Sequence, residues 1–353
     1  MKKLAVVLFN LGGPDQTSAI RPFLFNLFND PQIISLPQPF RWLLAHWISF
    51  RRAPVAKQIY NHIGGKSPIL EQTILQQRVI ESDLENIQNF SAVKVFTAMR
   101  YWHPMLDQTM DEVMAWNADE IVLLPLYPQF STTTSGSSFH EWQRLSRKKK
   151  CAIKTRFVCC YPDYSRWVNG FAQLIVPVLV RLQSRHAIRI LFSAHGLPQK
   201  IVDKGDPYVT HVELGVEAIV KTLNATEQVQ STFDYAVCYQ SRVGPMAWTT
   251  PSLDDELIRT AADKMAVIVV PVSFVSEHSE TLYELDIEYK DRARELGISE
   301  YHRIPALSGN KEFLAGLSDL VRLSLENQNN ILVGVDFEKC RDCHIQCPHN
   351  SFF

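Results

Sequence analysis

Along the chain, short runs of apolar and β-branched residues alternate with longer stretches whose apolar positions recur at helical spacing. Strands that alternate with amphipathic helices predict a parallel β-sheet with helical crossovers. The pattern also repeats itself. "KLAVVLFNLGGP" (3–14) matches "AIRILFSAHGLP" (187–198), each an apolar strand that runs into a turn holding glycine and proline. "VKVFTAMRYWHP" (93–104) matches "FDYAVCYQSRVGP" (233–245), each with an arginine shortly before a proline. "EIVLLPLYPQF" (120–130) matches "MAVIVVPVSFV" (265–275), and both carry a proline, Pro125 and Pro271, inside the apolar run. Three echoes in one order predict two similar α/β halves that meet somewhere between residues 160 and 185. Proline has no N–H for a central ladder, so both prolines are expected near strand ends.

A chain of 353 residues is long enough for two cores. Apolar content of 46% and charged content of 21% place it among ordinary folded proteins. The formal charge of -1 lacks the basic excess of a nucleic-acid binder, so no such partner is expected. Neither a GxGxxG nor a Walker motif occurs, which argues against a nucleotide cofactor. "MKKLAVVLFNLGGPD" has the charged-then-apolar order of an export signal. Its apolar run is only of strand length and breaks into Gly12-Gly13-Pro14, so it reads as a first strand and turn of a cytoplasmic protein. No uninterrupted apolar run reaches the roughly 18 residues of a spanning helix. Of the seven cysteines, three fall in the last fourteen residues, which favours metal binding over a disulfide framework.

One segment concentrates charge. "SEHSETLYELDIEYKD" (276–291) carries acidic residues at 277, 280, 284, 286, 288 and 291 around His278. At about 100° per residue on an α-helix, Glu277, Glu284 and Glu288 share a face, Glu280 lies beside them and Asp286 points elsewhere. Such a face is either simply solvated or a carboxylate ladder that handles metal or protons. The second reading needs a partner. Ligands of open parallel sheets bind beyond the carboxyl ends of the strands. His195 and Glu277/Glu280 follow two strands of one half, so both are expected at one mouth.

The motifs "LFNLGGPD", "IGGKSPI", "AMRYWHP", "YPQFSTTTSGSS", "LFSAHGLP", "KGDPY", "YQSRVGPMAW" and "FVSEHSETLYELDIEY" together resemble those of ferrochelatases, over about residues 4 to 325. The resemblance implies two Rossmann-like, chelatase-type domains, each a parallel sheet flanked by helices, with a porphyrin cleft between them. It implies a first half at 1–165 with a cleft lip at about 33–54, a second at 166–325 holding the catalytic histidine and acidic helix, and a cysteine-containing extension at 326–353. The implied activity is insertion of Fe2+ into protoporphyrin IX, the last step of haem synthesis, and the "LDIEY" form of the acidic motif is closest to protoporphyrin-using members.

Two pyrrole protons must leave as the metal enters, and an imidazole suits their removal because its pKa lies near neutrality. By resemblance that base and metal-site residue is His195, with Glu280 as its partner and Glu284 and Glu288 continuing as metal or proton relay. Oxygen ligands also suit transient Fe2+ handling. Leu11 stands where relatives carry Met or Tyr, which excludes metal ligation there. Arg100 and Tyr101 are expected to line the cleft opposite His195. Arg52 and Ser67 are expected on a propionate, and Trp248 and Phe274 on the macrocycle. "IISLPQPFRWLLAHWISFRRAP" (33–54), the lip, is read either as a core-packed helix or as a peripheral membrane contact with basic flanks.

"CRDCHIQC" places Cys340, Cys343 and Cys347 together. By resemblance they hold a [2Fe–2S] cluster, which needs a fourth cysteine. Gly170 stands where animal members carry that residue, and Cys160 or Cys159 is the candidate here. Zinc bound by cysteine and histidine, or an unliganded tail, are the alternatives. For the whole chain the competing readings are a coproporphyrin or cobalt chelatase, and a two-lobed tetrapyrrole-binding protein without turnover.

Overall fold

The structure, a computed structural model, describes residues 2–333 apart from 243, 245 and 329. It divides into two compact units, Met1–Cys160 with Leu317–Val333, and Tyr161–Gly316. In the first, β1 (Lys2–Asn10) leads through α1 (Ile20–Phe28), α2 (Phe40–His62) and α3 (Ile69–Asp83) to β2 (Phe90–Met99). Then come α4 (Leu106–Ala115), β3 (Glu120–Pro125), α5 (Ser135–Lys149) and β4 (Lys154–Cys160). The second runs α6 (Ser165–Leu182), β5 (Ile188–His195), α7 (Gln199–Val202), α8 (Tyr208–Asn224), β6 (Asp234–Gln240), α9 (Leu253–Ala262) and β7 (Ala266–Pro271). A π-helix over Glu280–Glu288, α10 (Tyr289–Glu295) and β8 (Tyr301–Arg303) follow. The chain continues through α11 (Lys311–Glu326) to β9 (Ile331–Val333), which belongs to the first unit.

Both sheets are parallel throughout, in the orders β2-β1-β3-β4-β9 and β6-β5-β7-β8. The first four strands of each are wound alike, and the three sequence echoes fall on β1/β5, β2/β6 and β3/β7. The central strands explain their composition. Leu4 to Phe9 have no exposed surface, and neither have Ile190, Leu191 and Phe192, because helices cover both faces of a crossover-linked parallel sheet. Pro125 and Pro271 are the last residues of β3 and β7, where a missing N–H interrupts no ladder.

Helical spacing does the complementary work. α6 buries Trp167, Phe171, Ile175 and Leu179, one stripe of every fourth residue. It lies against α8 so closely that a Cβ on Gly215 would sit 3.0 Å from the Trp167 ring. Arg156, in β4, donates to the carbonyls of Ser324 at 2.9 Å and Asn327 at 2.7 Å, and also pairs with Glu120. The returning C-terminal segment is thereby tied to the first sheet.

Candidate active site

In the second unit β5 ends on His195 and β6 ends on Gln240, and the two residues are paired in register. The loop after β7 returns at the same carboxyl end of the sheet and enters the π-helix. Its first turn is set by His278 and Thr281: the His278 N–H donates to the Thr281 hydroxyl at 3.0 Å, and that hydroxyl donates back to the His278 carbonyl at 3.1 Å. Leu285 anchors the helix in a core with Leu253, Leu257 and Val269. A π-helix closes its hydrogen bonds over five residues, and Glu280, Glu284 and Glu288 remain successive neighbours along it.

His195 Nδ1 lies 2.8 Å from Glu280 Oε2, and the His195 N–H donates to the Ser273 hydroxyl at 3.0 Å. With neutral imidazole, Nδ1–H donates to the carboxylate and Nε2 keeps its lone pair. The His195 side chain retains 39% of its surface and Glu280 27%, so a ligand can reach both. His278 Nε2 is 3.9 Å from the same Glu280 oxygen, and the Phe274 ring stands edge-on to His195 and 4.5 Å from the His278 ring. Glu284 is held from β6. Ser241 donates to it through its N–H at 2.8 Å and its hydroxyl at 2.5 Å, and the Gln240 amide at 3.2 Å. The same Gln240 amide donates to the Glu280 carbonyl at 3.0 Å.

These contacts grade the protonation of the site. Burial opposes charge on His195, but the charge and hydrogen bond of Glu280, helped by Glu284, outweigh it and raise its pKa. Burial likewise disfavours ionised Glu280, yet His195 and then His278 hold its carboxyl at about 2. Glu284, buried and beside Glu280, is pushed up to about 7 against the pull of Ser241. Burial also raises Glu288, which is exposed at the outer end of the run. Burial lowers His278. The run therefore passes from an ionised carboxylate at the imidazole, through one poised near neutrality, to one in contact with solvent.

Glu277 departs from the α-helical reading. It precedes the π-helix and is engaged by Arg303 at 2.6 Å and by the Ala306 N–H at 2.9 Å. Arg303 also forks onto Asp286. Glu277 therefore belongs to a structural ion network, not to the carboxylate face.

At the carboxyl end of the first sheet, Arg100 and Tyr101 converge on Asp30. Its Oδ2 accepts Arg100 Nη2 at 2.8 Å, the Tyr101 hydroxyl at 2.7 Å and the Ser137 hydroxyl at 2.5 Å. Tyr101 is 1% exposed, so most of it is packed in the unit. Leu11 is held between the Asn10 side chain, which accepts its N–H at 2.8 Å, and Tyr101, whose N–H donates to its carbonyl at 3.0 Å. Ser67 is buried, its N–H on the Pro14 carbonyl at 2.8 Å, while Arg52 is exposed on α2 with its guanidinium over Phe28. Trp248 is half-buried beside Pro198 in an isolated bridge. Cys160 is fully buried at the end of β4, whereas Cys340, Cys343 and Cys347 lie outside the described residues.

Sequence reasoning passed over Asp30 and assigned no role to Gln240, Ser241 or His278. The last three lie inside matched motifs, but only the fold aims them at Glu284 and Glu280.

Two parallel α/β units, one with an imidazole and a run of carboxylates at the mouth of its sheet, define a metal chelatase. Solved structures with this fold include SirB from Bacillus subtilis with Fe3+, at a TM-score of 0.53 and 11% identity over 93% of this chain and 98% of that one. A model of the Ferrochelatase family matches residues 3–325. A ferrochelatase of Pelagibacter ubique is 44% identical over 350 residues, 99% of this chain and 97% of the relative. One of Wolbachia sp. subsp. Drosophila simulans is 47% identical over 320 residues, 91% and 98% of the two chains. The chain belongs to the ferrochelatase family of lyases, enzymes of haem biosynthesis that take porphyrin and ferrous iron as substrates. Among the described residues no helix is long and apolar enough to cross a membrane.

Proposed function

We propose that the chain inserts Fe2+ into protoporphyrin IX to give protohaem, with His195 as the pyrrole proton acceptor. The observation that carries this reading is the His195–Glu280 pair, 2.8 Å apart and accessible, at the head of a graded carboxylate run. His195 Nε2 takes a pyrrole proton, and the resulting imidazolium is stabilised by the Glu280 carboxylate through Nδ1–H. Glu284, poised at about 7, receives a proton in exchange for little free energy and passes it outward to Glu288 and water. His195 and Glu280 also face the incoming Fe2+, an ion that oxygen and imidazole ligands bind without the grip of thiolates.

Trp248 and Phe274 are assigned as apolar contacts of the macrocycle. Leu11, Arg52, Ser67, Arg100 and Tyr101 are the remaining substrate contacts, with the exposed Arg52 guanidinium suited to a propionate. Phe40, Trp42, Leu43, Trp47 and Phe50 of α2 are exposed beside Arg51 and Arg52. This apolar face with basic flanks supports a cytoplasmic protein that rests peripherally on a bilayer. Cys340, Cys343 and Cys347, joined by Cys160, are assigned to a [2Fe–2S] cluster. Cys160 pairs in the ladder with Val333, seven positions before Cys340 in sequence, and four thiolates suit such a cluster.

The test is anaerobic Fe2+ insertion followed by porphyrin absorbance, with protoporphyrin and coproporphyrin side by side, after a spectrum of the protein as purified. Turnover of protoporphyrin is expected, together with visible absorption that the Cys340→Ser variant loses. Turnover of coproporphyrin alone would overturn the substrate assignment, and a colourless protein would remove the cluster.

A further inference from the structure

The three donors that hold Glu284 are not equivalent. The Ser241 backbone N–H and the Gln240 side-chain amide can only donate. The Ser241 hydroxyl, 2.5 Å from Oε2, can donate or, by rotating, accept. A carboxyl that gains a proton acquires an O–H in need of an acceptor. Of the three partners, only the Ser241 hydroxyl can become one.

The backbone at Ser241 is shaped around this contact. Its φ is +62°, the left-handed region that costs a residue with a side chain and that glycine adopts freely. Such conformations persist where the surroundings over-determine them, and here the preceding residue is fixed on three sides. The Gln240 side chain accepts the Ser193 hydroxyl at 2.7 Å and donates to the Glu280 carbonyl at 3.0 Å. Its own carbonyl accepts the Gly196 N–H at 2.9 Å, and a Cβ on Gly196 would lie 2.9 Å from that oxygen. The turn just after His195 thus locks the peptide that aims Ser241 at Glu284. Since glycine would take this conformation at lower cost, the hydroxyl is what a serine contributes there.

We infer that Ser241 is a positioning residue for proton transfer: its hydroxyl donates to Glu284 while that carboxylate is ionised and accepts from it once it is protonated. The carboxyl can then take a pyrrole proton from the His195–Glu280 pair and release it toward Glu288 and water without leaving its place. This rests on the assignment of Glu284 as a proton relay made above. The charged and titratable groups that face Glu284 are Glu280 on its own helix, His195 from β5 and Tyr289 at the start of α10. None of these can replace the hydroxyl, because none is hydrogen-bonded to the Glu284 carboxylate.

Ser241→Gly in the full-length protein tests the inference. It keeps the N–H donor, relieves the backbone and removes only the hydroxyl. A hydrogen bond to a charged group corresponds to about one pH unit, or about tenfold. The expected result is therefore a kcat lower by about tenfold, and an acid limb of kcat moved upward by about one unit, with KM for both substrates and the melting temperature unchanged. Ser241→Ala should give the same limb with a less stable backbone. An unmoved limb, or a change confined to KM, would overturn the inference. Glu284→Gln separates the two layers. If it removes the limb and Ser241→Gly then adds nothing, both readings stand. If it removes the limb but Ser241→Gly alone does not shift it, only the role of Ser241 falls. Wild-type kcat and profile in Glu284→Gln would remove the relay itself.

Discussion

The two sheets end in two carboxylate clusters that differ in one respect. Asp30 and Glu280 each lie at the carboxyl end of a similarly wound sheet, and each carries a close cationic or potentially cationic partner. The hydrogen-bonded partners of Asp30 do not change their proton count near neutral pH. A guanidinium is always charged and a hydroxyl does not titrate, while burial, reinforced by Asp30, pushes the Tyr101 phenol well above its ordinary value. Around Glu280 the hydrogen-bonded partner is an imidazole, a side chain poised to titrate there, and the next carboxylate along the helix sits at about 7. A repeated architecture can therefore hold a fixed charge pair at one mouth and a titrating pair at the other. The distinction lies in whether the partner of a buried carboxylate can give up its proton.

Breaking the chemical cluster should have the largest effect. His195→Ala is expected to lower kcat about 10³-fold, the scale of a lost general base, while porphyrin still binds and quenches tryptophan fluorescence. Normal turnover in that variant would remove the role of His195. Breaking the structural cluster should instead cost stability. Asp30→Ala strands the Arg100 guanidinium and the Tyr101 hydroxyl, and should lower the unfolding free energy by about 3 kcal/mol in a urea titration. A loss below about 0.5 kcal/mol, as for an ordinary surface change, would mean that Asp30 does not organise this mouth.

Glu280→Gln sharpens the contrast through pH. His195 is raised above its ordinary 6.5, so the base form grows in, and kcat/KM rises, as pH climbs through that raised value. Without the Glu280 charge this His195 limb of kcat/KM should move down by about one unit, whereas in Ser241→Gly it is the Glu284 limb of kcat that moves up. Stability should depend on pH through the same pair. The raised His195 contributes below 6.5 and loses its contribution as pH rises through the raised value. The depressed Glu280 contributes above its ordinary 4.5 and loses its contribution as pH falls toward about 2. The wild-type advantage over Glu280→Gln should thus be greatest between these ordinary values and fade on both sides. A difference that is flat with pH would exclude the ion pair as its source.

Much of this was legible in sequence where the signal is local. The strand echoes identified β1/β5, β2/β6 and β3/β7, because buried parallel strands are continuous apolar runs whatever surrounds them. The family motifs marked His195 and Glu280. What could not be read depended on distant or conformational partners. Glu277 has the spacing of a ladder residue, but Arg303, 26 positions later, claims it before the π-helix begins. Asp30 looks like an ordinary loop acid until Tyr101 and Ser137, 71 and 107 residues away, are folded onto it. Ser241 sits in a recognisable motif, yet its contact with Glu284 follows from a left-handed backbone that no side-chain pattern announces.

The strand β9 has a consequence for how the molecule is made. It pairs with β4 through Phe157–Ile331 and Cys160–Val333, while Arg156 reaches the carbonyls of Ser324 and Asn327. Residues 161–316 of the second unit are thus inserted, in chain order, between the fourth and fifth strands of the first. During synthesis the first unit leaves the ribosome with the outer edge of β4 unpaired and Arg156 short of two of its acceptors. It waits there until more than 150 further residues have emerged. An unpaired strand edge is a template for association with other chains. The nascent first half is therefore where chaperone dependence and aggregation of this protein should concentrate, and truncation before β9 should reproduce that state in isolation.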